Sequence, residues 1–200
     1  TLECLESGRK LIEPKGVAIE PIIVDNASRD DLVKRIKKEF PKIIMIENQA
    51  NLGFTGGNNE GMRYALKSGA DFVMLLNNDT IVHPELVENL LKPFEHDTVG
   101  GVVPKIYFEK GFEFHKNRYK ESEKGKVIWY AGGKMDWNNL IGENIGVDEV
   151  DHGQFDIRME TELATGCCFM IRSNVLKNVG LFDDKYFLYY EDADLSVRIK

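Results

Sequence analysis

Apolar and polar positions alternate with two different periods along the first half of the chain. The short runs "IEPIIVD", "KIIMIE" and "DFVMLL" end at Asp25, Glu47 and Leu76, and their Ile and Val content is typical of buried strands. Between these runs, apolar residues recur every three or four positions, as one face of a helix requires. The alternation is typical of βαβ units and predicts an α/β domain with a mostly parallel central sheet.

The helices between these strands are predicted from their end signals. Ser28 can cap the first helix, Gly69 closes the second, and Pro84 suits the first position of the third. From Val99 onward the strand-like runs are shorter and Gly-rich loops separate them, so we expect a mixed second half. Residues 109–126 are rich in charge, and we expect them to form an exposed excursion.

Composition narrows the classes of protein that fit. The chain has 200 residues, 42% hydrophobic and 30% charged, which suits one globular domain. Its net charge of −7 argues against nucleic acid as a partner, since such proteins carry a basic face. The longest purely apolar runs, such as Phe72 to Leu76, are far shorter than the roughly 20 residues of a membrane-spanning helix. Cys4, Cys167 and Cys168 have no disulfide-framework or CxxC spacing, so a reducing cytoplasm is expected.

Polar side chains follow each of the three predicted strands. In open parallel sheets, ligands bind beyond the carboxyl ends of the strands, where helix N-termini and free backbone N–H groups converge. We therefore expect a single polar rim that contains Asp25, Asn26, Asn51, Asn58, Asn59, Asn77, Asn78 and Asp79.

Each part of this rim also has a purely structural interpretation. Asp25 and Asn26 can form an Asx-turn, and the pair Gly56 and Gly57 can be a flexible turn. The segment "GFTGG" is not the GxGxxG dinucleotide fingerprint, and "NNDT" can be a β-turn. The coincidence of three polar strand ends is what favours a ligand site.

The chemistry of the rim suits a nucleotide diphosphate. A carboxylate such as Asp25 can accept from a base or ribose, and amides such as Asn59 can donate to phosphate. A hard divalent ion needs only one or two protein carboxylates when phosphate oxygens complete its shell, and Asp79 is the candidate ligand.

Four segments carry a resemblance to a known family: "IIVDNASRDD", "NLGFTGGNNEGMRYAL", "VMLLNNDT" and "TGCCFMIRSNVLKNVGLFDDKYFLYYEDADLSVRIK". Together they resemble the family 2 inverting glycosyltransferases of GT-A fold, especially the rhamnosyltransferase-like branch. The resemblance implies a Rossmann-like nucleotide-diphospho-sugar transferase fold over residues 1–200 as a single domain. Residues 1–104 would form its nucleotide-sugar-binding half and residues 105–200 its acceptor and catalytic half.

The resemblance also implies roles for individual residues. Asp25 matches the acid that contacts the base, and Asn59 the asparagine of the loop beneath the nucleotide. Asp79 matches the last acid of a DxD-type site, which holds Mn²⁺ or Mg²⁺ against the diphosphate, while Asn77 replaces the first acid. The nucleotide-sugar contacts are expected from Asp25, Asn26, Gly53, Asn58, Asn59, Asn77 and Asn78.

The second half of the chain is expected to supply the acceptor side and the base. Gly166 and Cys167 match the turn beside donor sugar and acceptor, and Asp192 matches the catalytic base, with Glu191 as second choice. The structural alternative is that acids at a helix N-terminus only complement its dipole. Among the aromatic residues, Tyr189 and Tyr190 are candidates for the sugar pocket, whereas Phe187, Trp129 and Trp137 are expected to be buried.

The resemblance further implies the partners. The donor would be a UDP- or dTDP-sugar and the acceptor a glycan or lipid-linked hydroxyl, in polysaccharide assembly for the cell envelope. The expected location is the cytoplasm, with peripheral association at the inner face of the membrane left open, as is the oligomeric state. We also expect a fragment that lacks the family's first strand and its C-terminal region. A sugar nucleotidyltransferase and a non-catalytic nucleotide- or glycan-binding module are the alternatives.

Overall fold

The computed structural model describes residues 1–115 and 117–200, which form two compact units. The first unit contains residues 1–102 and 166–200, and the second contains residues 103–165. All residues assigned above to donor, acceptor, metal or catalysis lie in the first unit.

The front part of the first unit follows the predicted alternation. Its elements are α1 (Leu2–Gly8), β1 (Ile22–Asp25), α2 (Leu32–Glu39), β2 (Ile44–Glu47), α3 (Gly53–Lys67), β3 (Phe72–Leu76), α4 (Leu86–Leu91), a 3₁₀ turn (Lys92–Glu95) and β4 (Gly101–Val102).

The second unit holds four short strands, β5 (Ile106–Tyr107), β6 (Ile128–Tyr130), β7 (Gly133–Asp136) and β8 (Ile141–Asn144). They pair as two antiparallel hairpins, β5 with β6 and β7 with β8. Val127, Ile128 and Tyr130 form their buried centre. Trp137, which we expected to be buried, is 57% exposed at the end of β7, because its hairpin turns into solvent there.

The chain then returns to the first unit through β9 (Cys168–Arg172), α5 (Ser173–Val179) and α6 (Glu191–Ile199). Helix α6 buries Ala193, Leu195 and Ser196, whereas its Val197 is exposed. Within the described residues, no helix combines the length and the apolar character that crossing a bilayer requires.

Strand pairing in the first unit is mixed. β1 and β2 are parallel, with Ile22 opposite Ile44 and Asp25 opposite Glu47. β9 lies between β3 and β4 and is antiparallel to both. The pairing is therefore less parallel than the βαβ pattern predicts, because a strand from the second half occupies the place beside β3. This pairing sets Cys168 opposite Leu76, and it brings the start of β9 to the polar end of β3.

Two predicted helix starts are displaced. α2 begins at Leu32, four residues after Ser28, and the backbone N–H of Ser28 donates to the Asp25 carboxylate instead (3.1 Å). α4 begins at Leu86, two residues beyond Pro84. The predicted end of α3 is confirmed, since Gly69 follows the helix with a φ of +85°, a value that favours glycine.

Candidate active site

The end of β1 forms a turn. Asp25 is half-buried, its Oδ2 accepts from the backbone N–H of Ser28, and its carbonyl accepts from that of Asn48 at 2.9 Å. The Asp25 carboxylate therefore makes a local bond to the backbone three residues on, rather than the two residues of an Asx-turn. A contact between Asp25 and a nucleotide base stays a prediction.

Asn26 connects the end of β1 to the start of α3. Its Nδ2 donates to the carbonyl of Gly53 at 2.8 Å, and its Oδ1 accepts from Asn48 Nδ2 at 2.8 Å. A Cβ on Gly57 would lie 2.6 Å from Asn26 Nδ2, so a side chain at this helix position would displace the Asn26 amide. The structure gives Asn26 a role in holding two rim segments together, which its sequence context did not indicate.

The N-terminus of α3 is occupied by backbone from the second half of the chain. The carbonyl of Phe187 accepts from the backbone N–H of Phe54 (2.9 Å) and of Thr55 (3.4 Å). Gly53 has a φ of +74°, and a Cβ there would lie 2.4 Å from that carbonyl oxygen. Protein backbone, rather than open space for phosphate, therefore faces these two donors. The Phe187 side chain is 59% exposed, so its predicted burial is wrong; its carbonyl is what packs inward.

The two asparagines of α3 have different environments. Asn58 is half-buried and donates to the carbonyl of Phe54, four residues earlier (2.9 Å). Asn59 is 0% exposed and lies in the helix rather than in a loop. Its Nδ2 donates to the Phe182 carbonyl (3.0 Å) and to Asp184 Oδ1 (2.6 Å), while its Oδ1 accepts from the Phe182 N–H (3.1 Å). Protein groups therefore use both ends of the buried amide, and a contact between Asn59 and the nucleotide stays a prediction.

The end of β3 presents the predicted metal-site segment. The backbone N–H of Asn77 donates to the carbonyl of Cys167 at 2.8 Å, and the Asn77 carbonyl accepts from Thr80 Oγ1 at 2.7 Å. Asn78 and Asp79 are exposed, and Asn78 Nδ2 donates to Thr1 Oγ1 at 2.9 Å.

Cys167 lies beside the Asp79 charge. Burial, with smaller contributions from Asp79 and Cys4, raises the pKa of the Cys167 thiol to about 11. The thiol is therefore protonated at neutral pH. It is a small polar neighbour of Asp79 rather than a thiolate.

The predicted base is tied to the predicted acceptor turn. Asp192 is half-buried at the start of α6, and its Oδ2 accepts from the backbone N–H of Gly166 at 2.9 Å. Its Oδ1 accepts from the N–H of Ala193 at 2.8 Å. A Cβ on Gly166 would lie 3.1 Å from the Phe54 ring and 3.7 Å from Asp192 Cβ, so a small residue is needed there.

Glu191 has a different environment from its neighbour. It is 4% exposed, its Oε2 has no hydrogen-bond partner among the described residues, and burial together with the Asp192 charge raises the pKa of its carboxyl. Tyr189 and Tyr190, which precede it, have φ values of +73° and +70° and are 72% and 50% exposed. Two consecutive non-glycine residues in the left-handed region are uncommon and mark a constrained turn into α6.

These contacts form a chain of neighbouring residues that links the segments of the three acids within the first unit. Asn26, which follows Asp25, bonds to Gly53. The next residue, Phe54, packs on Gly166, which bonds to Asp192. Cys167, in the same turn as Gly166, bonds to the segment of Asp79. Three of the groups that hold this arrangement were not predicted from the sequence: the Phe187 carbonyl, Asn48 and Asp184. A backbone carbonyl leaves no signal in a sequence.

The residues around Asp79 fit a divalent ion only if a diphosphate supplies the other ligands. Within residues 1–115 and 117–200, no three His, Cys, Asp or Glu side chains converge as a metal cluster. Asp79 nevertheless offers an exposed carboxylate, and Mn²⁺ or Mg²⁺ on a diphosphate needs only one or two such ligands from protein. The residues present therefore fit an ion that is bound together with its diphosphate ligand.

Solved structures define the fold of the chain. A mannosyltransferase from Pyrobaculum calidifontis, solved with GDP-Man and Mn²⁺, superposes with a TM-score of 0.62 at 16% identity, over 99% of this chain and 47% of that one. GalNAc-T7, solved with UDP, GalNAc and Mn²⁺, gives a TM-score of 0.66 at 16% identity, over 98% and 37%. The fold is that of the GT-A glycosyltransferases, as predicted.

The family follows from the sequence comparison. Residues 1–180 match the model of glycosyl transferase family 2, and the chain belongs to that family. Its predicted membership of the family is thereby confirmed. The match ends before Glu191 and Asp192, so it carries no information on either acid.

Three curated relatives are named as sugar transferases. The hexosyltransferase Agl10 of low-salt glycan biosynthesis in Haloferax volcanii is 26% identical over 92% of this chain and 54% of its own length. The N-acetylglucosaminyl-diphospho-decaprenol L-rhamnosyltransferase of Mycobacterium tuberculosis is 24% identical over 90% and 61%. The dTDP-rhamnosyl transferase RfbF of Shigella flexneri is 22% identical over 88% and 52%. The chain thus spans about half the length of the curated relatives it matches.

Proposed function

We propose that this chain transfers a sugar, with inversion, from a UDP- or dTDP-sugar to a hydroxyl of a glycan or lipid-linked acceptor. The observation that carries the proposal is the hydrogen bond from the Gly166 N–H to Asp192 Oδ2, 2.9 Å, because it ties the assigned base to the turn that also contacts the segment of Asp79. Donor and acceptor chemistry would then meet at one turn.

Asp192 acts as the general base in this proposal. It takes the proton of the acceptor hydroxyl as the oxygen attacks the anomeric carbon and the nucleoside diphosphate departs from the opposite side. The two backbone N–H groups bonded to Asp192 fix the carboxylate for that attack. General base catalysis contributes about 100-fold to 10,000-fold in rate.

The donor lies against the strand ends. Asp25 contacts the base or ribose, and Asp79 ligates Mn²⁺ or Mg²⁺. Bound there, the ion would neutralise the charge of the leaving diphosphate. The solved GT-A transferases that contain Mn²⁺ with GDP-Man or UDP support this dependence on a divalent ion.

The names of the curated relatives support the proposed class of acceptor and the proposed location. One curated relative is named for a decaprenol-diphosphate acceptor, and another for low-salt glycan biosynthesis. A glycan or lipid-linked acceptor in cell-envelope polysaccharide assembly is therefore the class we propose. Action in the cytoplasm, next to the membrane that holds a lipid-linked acceptor, is part of the same proposal.

Replacing Asp192 with Asn tests the base assignment. Asn keeps the size of the side chain but cannot take a proton, so transfer should fall by about 100-fold or more while UDP binding is retained. Turnover is measured as release of nucleoside diphosphate across a panel of nucleotide sugars, and UDP binding by calorimetry.

Asp194→Asn is the matched control. Asp194 lies on the same helix and bonds to Arg198 at 2.7 Å, and an amide oxygen can still accept that bond. This variant should keep its activity. Undiminished transfer by Asp192→Asn would contradict the proposed base.

A further inference from the structure

The segment that leads into the catalytic helix lies along α3. Residues 180–190 connect α5 to α6, and α3 holds this segment at two points, Phe182 and Phe187. Both points lie on the first two turns of α3, the helix that begins at the rim.

The first anchor is the buried side-chain amide of Asn59, which bonds to the backbone of Phe182. The Asn59 side chain forms reciprocal hydrogen bonds with the Phe182 peptide, donating to its carbonyl at 3.0 Å and accepting from its N–H at 3.1 Å. Asn59 also donates to Asp184 at 2.6 Å, and Arg63, one turn further along α3, lies 3.4 Å from the other oxygen of Asp184. Because Asn59 is fully buried, losing either partner would leave a polar group without compensation.

The second anchor is the start of α3. The Phe187 carbonyl accepts from the N–H groups of Phe54 and Thr55, and Gly53 leaves no room for a side chain beside it. Phe54 and Asn59 are five residues apart, which is about 7.5 Å along a helix. The two anchors therefore fix the backbone of the segment at Phe182 and, five residues later, at Phe187.

The turn into α6 depends on this support. Tyr189 and Tyr190 both have positive φ, a conformation that costs roughly 1–2 kcal/mol per residue and persists only where the surroundings impose it. Asp192 begins two residues later. A segment released from α3 would be free to relax this turn and to move the carboxylate.

We propose that Asn59 is a positioning residue for the catalytic base, holding residues 182–187 on α3 so that Asp192 meets the Gly166 turn. The inference rests on the proposed function, and it assigns Asn59 a role in the chemical step in place of a contact with the nucleotide.

The test separates positioning from donor binding. Asn59→Asp removes the donor to the Phe182 carbonyl and sets a second carboxylate against Asp184. We expect kcat to fall about 10-fold or more with the KM for the donor changed less than about 3-fold, since a positioning defect acts on the chemical step. Glu60→Gln is the matched control, because Glu60 is adjacent, half-buried and bonded only to Arg63 among the described residues. It should leave both constants unchanged.

A partner exchange provides the rescue. In the double variant Asn59→Asp with Asp184→Asn, an amide again faces a carboxylate, so kcat should recover at least about 3-fold over the single variant. Asp184→Ala is a milder variant, because this side chain is 68% exposed. It should also lower kcat, and it serves as the test if Asn59→Asp does not fold.

Hydrogen exchange gives a readout that needs no turnover. Amides of residues 183–190 should exchange faster in Asn59→Asp than in the natural chain or in Glu60→Gln. A raised donor KM with unchanged kcat would overturn the proposal in favour of a nucleotide contact, as would unchanged exchange in this segment. If the natural chain shows no transfer, the proposed function fails, while the exchange data still decide whether Asn59 holds the segment.

Discussion

Substituting Gly53 with Ala tests the close approach between the start of α3 and the segment before the base. The substitution adds a Cβ at a φ of +74°, which costs roughly 1–2 kcal/mol for an L-residue. The same Cβ would lie 2.4 Å from the Phe187 carbonyl oxygen, so the backbone of the segment must move. Overpacking of this kind costs about 1–3 kcal/mol, which brings the expected loss to about 2–5 kcal/mol.

Gly69 provides the matched comparison at the other end of the same helix. Its φ is +85°, and nothing lies within 4 Å of a Cβ placed there. Gly69→Ala should therefore cost only the backbone contribution of roughly 1–2 kcal/mol. The difference between the two variants isolates the contact with Phe187.

Urea unfolding followed by circular dichroism gives both free energies of unfolding, and turnover is measured on the same preparations. Gly53→Ala should also lose transfer, because the displaced Phe187 lies five residues before Asp192. Free energies of unfolding that agree within about 0.5 kcal/mol would refute the reasoning, since the steric contribution would then be absent.

Three further predictions concern single groups of the site. Asp79→Asn should weaken UDP binding in the presence of Mn²⁺ and leave metal-free binding nearly unchanged in calorimetric titrations; equal weakening in both conditions would contradict metal ligation. Burial, with a smaller contribution from the Asp192 charge, raises the pKa of the Glu191 carboxyl in the folded state. The folded state therefore loses stability as the pH rises through this raised pKa. Glu191→Gln should accordingly be more stable than the natural chain at pH 7. This gain should shrink below about pH 4, where the carboxyl is protonated in both states, and denaturant titrations at the two pH values measure it. With a pKa of about 11, Cys167 should react with iodoacetamide at pH 8 roughly 100-fold more slowly than in the urea-unfolded chain, as followed by mass spectrometry.

The strand ends could be read from the sequence because each depends on a local pattern. An apolar run followed by Asx residues marks the end of β1 and of β3, and both ends lie where that pattern predicts. The hydrogen bond between Cys167 and Asn77 at the end of β3 has no such local signal. It arises from the antiparallel pairing of β3 with β9, residues about ninety positions apart, and only the resemblance indicated it.

The environment of Asn59 was predictable in part. Thr55, Asn59 and Met62 are spaced by four and three residues, which is the buried face of α3, and all three are at most 1% exposed. An amide on that face must satisfy its hydrogen bonds inside the protein. The partners themselves, Phe182 and Asp184, could not be predicted, because they lie more than 120 positions away.

Geometry favours Asp192 over Glu191 as the base. A general base must reach the proton that it takes, and Asp192 is the half-buried acid that contacts the Gly166 turn. Glu191 is 4% exposed, and its raised pKa favours the protonated form in the interior. A buried carboxyl that is protonated more readily is well suited to lie beside a second carboxylate without repelling it.

Exchanging each acid for its amide distinguishes the two candidates. If Asp192 is the base, Glu191→Gln should retain transfer, because the substitution leaves the proton acceptor in place. Loss of transfer in Glu191→Gln, together with survival in Asp192→Asn, would reverse the assignment.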